Sequence, residues 1–173
     1  SNTSGLTYGD GSLWLAANGA AHLWRTARPH DAQPGRGEIL RVDPETGETL
    51  ARYPVPDGGG VHGIEYDPYE PGVLWVTTLK SQTVSKVRIA DWSVLAAFPV
   101  PLPRAHGLVR RVDGLWVVHT GHRVICKLDP ATGAELARIH TPAPHPEPHG
   151  LSIFGADLIY CDASSGWVAR LQM

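Results

Sequence analysis

The tripeptide His-Gly-apolar occurs three times in this chain, at His62-Gly63-Ile64, His106-Gly107-Leu108 and His149-Gly150-Leu151, with gaps of 44 and 43 residues. A period between about 20 and 50 residues is the signature of stacked supersecondary units, and it constrains the fold more than any local pattern does. Lining up the copies gives four units. The first starts at Ser4-Gly5-Leu6 and the others at the three histidines.

Each unit goes on to a second strand centred on an aromatic residue: Trp14 in SLWLAA, Trp75 in VLWVTT, Trp116 in GLWVVH and Tyr160 in DLIYCD. Third strands read EILRVD, TVSKVRI, RVICKLD and WVARLQ, and fourth strands TLARYPVP, VLAAFPVPLP and ELARIHTPA. These runs are short, rich in β-branched and aromatic residues, and bounded by Gly, Asp or Pro. The turns DPETGE (Asp43 to Glu48) and DPATGAE (Asp129 to Glu135) place Pro early and Gly late, as a tight turn requires. Unit two has IADWSV there instead, without Pro or Gly, which predicts a differently built turn.

Four antiparallel strands per period, with an aromatic at a fixed place, predict an all-β fold, a β-propeller of about four four-stranded blades. A parallel βαβ fold is disfavoured because no stretch of ten or more residues carries the helical period. The blades are expected at about 4–57, 61–103, 105–147 and 149–173, within a single propeller unit over 1–173. The last lacks its outer strand, so the WVARLQ edge is left open to pairing. Two arrangements follow from this. Either the chain is part of a longer propeller, or two copies join through open blade edges as a homodimer, up to an eight-bladed ring.

Hydrophobic residues make up 42% and charged residues 18%, which fits a folded soluble domain rather than disorder. No apolar run approaches a membrane span. A net charge of -2 with scattered basic residues gives no footprint for nucleic acid. Both compartments, cytoplasmic or exported after removal of a signal, are compatible with this composition. Cys126 and Cys161 lie in apolar company and read as buried free thiols.

The first unit is longer than the rest, and the excess lies in AAHLWRTARPHDAQPGRG between its second and third strands. In an up-and-down blade alternate turns emerge on opposite faces, so this insert shares a face with the loops that carry His62, His106 and His149. First strands are innermost in a propeller and line the channel. The histidines are therefore expected around one channel mouth. Turns leaving the second strands bring Asn18, Lys80, His119, His122 and Asp162 to the same face, and the insert adds Trp24, Arg25, Arg28, His30 and Asp31.

Imidazoles, an amide, an ammonium and a carboxylate around a concave mouth can bind a ligand. The ligand-binding set is His62, Asn18, Lys80, Trp24 and Arg25. A divalent metal is the cofactor such a mouth could hold, through His106, His119, His122 and Asp162, and His106 or His149 could act as a general base near neutral pH. The bland alternative is a structural clasp, in which the ring nitrogen bonds a neighbouring blade and the glycine permits a close turn. Both readings stand at the level of sequence.

The unit HG(I/L), then LWV, then K(L/I)DPxTGxxLA, resembles the blades of virginiamycin B lyase-like propellers and, more loosely, those of the NHL, YVTN and SMP-30/gluconolactonase-like groups. The likeness covers the whole chain. The lyase resemblance implies a metal ion and a channel histidine, His106 or His149 here, that open a cyclic depsipeptide by elimination. The gluconolactonase resemblance implies a divalent metal held by acid and amide side chains, with Asn18 and Asp162 as the counterparts and Glu65 further along a first strand. Two functional expectations result: a propeller binding a small molecule or protein at its mouth, or a metal-dependent lyase or lactonase.

Overall fold

The computed structural model describes residues 3–18, 37–57, 59–162 and 164–173. Its fold is all-β, in four antiparallel sheets with the strands of each in chain order. Blade 1 holds β1 (Thr3–Gly9), β2 (Ser12–Ala17), β3 (Glu38–Val42) and β4 (Thr49–Pro54). Blade 2 holds β5 (Val61–Tyr66), β6 (Val73–Thr78), β7 (Thr83–Arg88) and β8 (Val94–Pro99). Blade 3 holds β9 (Ala105–Arg111), β10 (Gly114–His119), β11 (Val124–Leu128) and β12 (Glu135–His140). Blade 4 has only β13 (Gly150–Phe154), β14 (Asp157–Cys161) and β15 (Val168–Leu171). No helix among the described residues is long and apolar enough to cross a membrane.

The first strands β1, β5, β9 and β13 pack in succession, whereas no comparable packing joins β13 back to β1. The four blades thus form an arc of a propeller, with the first strands on its concave side. Three apolar layers fill the junctions. Trp14, Ala16 and Ile39 of blade 1 meet Ile64, Leu74 and Val76 of blade 2. Trp75 and Val84 meet Leu108, Leu115 and Val117 of blade 3. Val109, Trp116, Val118 and Ile125 meet Leu158, Tyr160 and Leu151 of blade 4.

The strand register corrects the alignment of the aromatic position. Trp14 lies opposite Arg41, Trp75 opposite Lys86 and Trp116 opposite Lys127, with each cation over its indole. In blade 4 the residue opposite the matching Arg170 is Ile159, not Tyr160. Alternate strand residues face opposite sides of a sheet, so Tyr160 turns back onto blade 3 and Ile159 takes the tryptophan place.

The unit-two turn differs as its composition requires. Gly47 and Gly133 take the left-handed conformation at φ 74 in the DPxTG turns, and Trp92 takes it at φ 57. For a bulky side chain that conformation is strained. It is held because the Trp92 ring stacks on Tyr53 at 4.1 Å between centroids and its indole N–H donates to the Pro54 carbonyl at 2.8 Å. Both cysteines are free, but only Cys126 is buried. Cys161 is exposed because nothing among the described residues packs over its side of blade 4.

Candidate metal centre at the channel mouth

Why the histidine is followed by glycine is visible at each junction. A Cβ on Gly63 would lie 2.1 Å from the His106 carbonyl oxygen, and one on Gly107 would lie 2.7 Å from the His149 carbonyl and 2.6 Å from the Leu151 nitrogen. Any side chain there would drive the first strands apart. Gly107 N–H donates to the His149 carbonyl at 2.9 Å. Across the preceding junction the Thr77 hydroxyl accepts from Gly63 N–H at 2.8 Å and donates to the His106 carbonyl at 2.9 Å. The clasp between blades is therefore made by glycine and by the histidine backbone. The imidazoles are left to do something else.

Those imidazoles converge. His62, His106 and His149 each offer a ring nitrogen, and the three atoms lie within 4.8 Å of one another. They border a cavity of about 140 Å³ on the concave side, which Ser4 and Leu6 of β1 also line. Ring centroids are 4.3 Å apart for His62 and His106 and again for His106 and His149, in edge-on contacts. His62 Nδ1 stands 3.0 Å from His106 Nδ1, and Asn18 Nδ2 stands 2.7 Å from His62 Nε2.

Two facing imidazole nitrogens need a shared proton or a cation, because two bare lone pairs would repel. With the Asn18 amide donating to Nε2, the proton lies on His62 Nδ1 and is given to His106 Nδ1. The second nitrogen of His106, Nε2, is then buried with no hydrogen-bond partner among the described residues. Turning the amide so that its oxygen accepts from Nε2–H would instead free the Nδ1 lone pair for a metal. Which nitrogen of a histidine binds is commonly set by the partner of the other one.

All three rings are held neutral. Burial first, then the charges of His149 and Arg104, lowers His62 from 6.5 to about 4. Burial, followed by His62, His149 and Arg104, lowers His106 to about 3. His149 is lowered mainly by burial and then by Arg104, against the raising effect of Glu147 and Asp162. Neutral imidazole is the form that binds a metal. Its donor set suits a divalent transition ion such as zinc, and three protein ligands are what a catalytic site with an open position provides.

The cluster differs from the proposed grouping of His106, His119, His122 and Asp162. His119 follows the upstream face of β10 in the layer between blades 2 and 3, and both its ring nitrogens are buried without a hydrogen bond among the described residues. The Asp162 carboxylate accepts from the backbone N–H groups of Glu147, Ser164 and Ser165, which hold it below its ordinary range, at about 2. His122 sits in the following turn, its N–H on the His119 carbonyl at 3.2 Å. None of these three joins the His62, His106 and His149 set. Lys80 lies at the turn after β6, its N–H on the Gly59 carbonyl at 3.2 Å. Trp24, Arg25, Arg28, His30 and Asp31 fall outside the described residues.

Two residues gain importance from the structure. Arg104, exposed and two residues before His106, brings a positive charge that acts on all three imidazoles. Its place before the His-Gly pair was the available signal. Glu65, further along β5, accepts from the Thr7 hydroxyl at 3.2 Å and from Arg110 N–H at 3.3 Å. Burial raises its carboxyl to about 7 against those hydrogen bonds.

Fold and mouth together define a class: four propeller blades that gather imidazoles on the concave side. No protein-family model and no curated protein matches the sequence. Solved structures do share the fold. A glutaminyl cyclase from Myxococcus xanthus matches 99% of this chain with a TM-score of 0.71 at 11% identity. Virginiamycin B lyase from Staphylococcus aureus matches 99% with a TM-score of 0.63 at 19% identity, and the computationally designed protein Ika4 matches 99% with a TM-score of 0.59 at 14% identity. The chain spans 66% of the cyclase and 55% of the lyase, but 91% of Ika4.

Proposed function

We propose that the mouth binds a divalent metal through His62, His106 and His149, and that the protein acts as a metal-dependent lyase or lactonase on a cyclic ester. The observation that carries this reading is the convergence of three neutral imidazoles within 4.8 Å. Bound there, the metal would polarise an ester carbonyl or activate water. The chain's own part is to hold the imidazoles unprotonated and to orient His62 through Asn18. Arg104 favours a ligand with carbonyl or anionic oxygen beside the cluster. His106 and His149 serve as ligands in this reading rather than as bases, and residues 1–173 work as a single propeller unit. Likeness to virginiamycin B lyase supports the reaction class only through the shared fold.

The test is titration of the untagged chain with Zn²⁺ and Co²⁺, read by calorimetry and by the visible spectrum of Co²⁺. One ion per chain, lost in His106→Ala and kept in His119→Ala, is the expected result, with turnover of a lactone or cyclic ester lost in parallel. Binding equal in both variants would overturn the assignment. We further propose that the working form is a homodimer.

A further inference from the structure

The two ends of the arc carry the complementary halves of the junction that is already made three times inside the chain. On the downstream side of each blade one third-strand residue is sealed by the next blade: Ile39, Val84 and Ile125 are each 0% exposed. They pair with Ala16, Thr77 and Val118. Val168, paired with Cys161 in the same place, is 64% exposed. On the upstream side, Ile64 and Leu108 are 3% exposed, and Leu6, their counterpart in blade 1, is 59% exposed.

The backbone repeats the same message. Gly5, Gly63 and Gly107 each lie close under the carbonyl of the next blade's histidine, whereas within 4 Å a Cβ on Gly150 would meet only Cys161 Sγ among the described residues. Beside it, Ile159, Cys161, Val168 and Ser152 line an open groove of about 250 Å³. In the closed junctions that groove is filled by the next blade's leucines and valines. Blade 1 presents such a set, with Leu6 paired to Leu15 and Tyr8 to Leu13.

We infer that a second copy of this chain docks its blade 1 upstream face, through Leu6, Tyr8, Leu13 and Leu15, into the blade 4 groove formed by Gly150, Ile159, Cys161 and Val168, and receives the reciprocal contact. The inference deepens the homodimer reading above and replaces edge pairing of WVARLQ with face packing. A second copy is the occupant because its two end blades offer both missing halves at once, and the contact repeats the junction the chain already makes between its own blades. Such a head-to-tail contact closes after two copies when each spans half of the ring. Ser4 of the second copy then follows His149 around the mouth, so the site gains a residue from its neighbour.

Cys161 reports on the contact, since Cys126, the other cysteine, is buried. Sedimentation should give a two-chain species for the wild type, and a chromogenic disulfide reagent should label Cys161 about tenfold more slowly than in a single chain, because access limits thiol exchange. Leu6→Asp and Val168→Glu, both at exposed sites that a lone chain tolerates, should each give single chains with fast labelling and an unchanged circular dichroism spectrum. Mixing the two variants restores one intact junction and should recover the two-chain species. A single-chain wild type would overturn both the homodimer and this surface. Two-chain mass with fast labelling and insensitive variants would overturn the surface while keeping the homodimer. All arms are run with and without Zn²⁺, so failure of the metal reading leaves them interpretable.

Discussion

His106-Gly107 and His149-Gly150 are the same motif at the start of neighbouring inner strands, yet their glycines live in different surroundings. Gly107 is pinned beneath the His149 carbonyl and the Leu151 nitrogen, while Gly150 faces only the Cys161 sulfur within 4 Å among the described residues. The histidines, by contrast, converge on the same mouth. The difference separates the two halves of the motif: glycine belongs to the blade junction, and its use depends on a following blade, whereas histidine belongs to the mouth.

The strongest way to break this comparison is to fill the pinned glycine. Gly107→Val should cost roughly 3 kcal/mol or prevent folding, since its Cβ and methyls would collide with backbone that cannot move without opening the junction. Thermal unfolding checks it. A variant as stable as the parent would show that the junction is looser than the close approach at Gly107 requires.

His106→Ala should act on the other half. Metal affinity is expected to fall by roughly 100-fold or more, as for loss of a ligand or of the group that orients one. Stability should change by only about 1 to 2 kcal/mol, because among the described residues the ring makes one hydrogen bond, to His62 at 3.0 Å, and its Nε2 finds no partner. A large loss of stability with metal binding intact would return the imidazole to a clasp.

Acid titrates the mouth without touching the glycines. In the unfolded chain these histidines take up protons near 6.5, whereas in the folded chain His62 waits until about 4 and His106 until about 3. Their contribution is therefore complete above pH 6.5 and declines as the pH falls through that window, by up to about 1.4 kcal/mol per pH unit for each ring. Urea midpoints at pH 7, 6 and 5 should fall more steeply in the parent than in His106→Ala. Metal affinity should stay level between pH 8 and about 6.5, where unperturbed imidazoles would already begin to compete for protons.

Much of this was legible in the repeat. The 43- and 44-residue spacing of the His-Gly pairs gives the strand order, and strand order puts first strands at the channel and their histidines together. The odd turn at Trp92 could be foreseen from missing Pro and Gly. What escaped was anything decided by one residue of register or by a tertiary neighbour. DLIYCD offers its aromatic one place too late, and only pairing with Arg170 shows that Ile159 holds the tryptophan site. Strand order brings the turn after β10 to the face of His106, and so suggests His119 and His122 as its neighbours, but His119 faces the layer between blades and keeps both nitrogens unpartnered among the described residues. Cys161 looked buried because its apolar neighbours imply a covering blade, and none among the described residues supplies it.

The smallest effect belongs to the open glycine, and it is the most discriminating. Gly150→Ala should change the stability of a separated chain by less than about 1 kcal/mol, since the added methyl meets a sulfur on an exposed side chain that can turn aside. In the two-chain form the same methyl would sit where Gly5, Gly63 and Gly107 are each met by a carbonyl of the next blade. Dissociation of the wild-type pair on dilution should therefore shift to higher concentration in the variant, while unfolding of the dissociated chain is unmoved. Equal shifts in both would mean that Gly150 serves its own blade alone, and the contrast with Gly107 would then reflect strand geometry rather than a junction awaiting its second half.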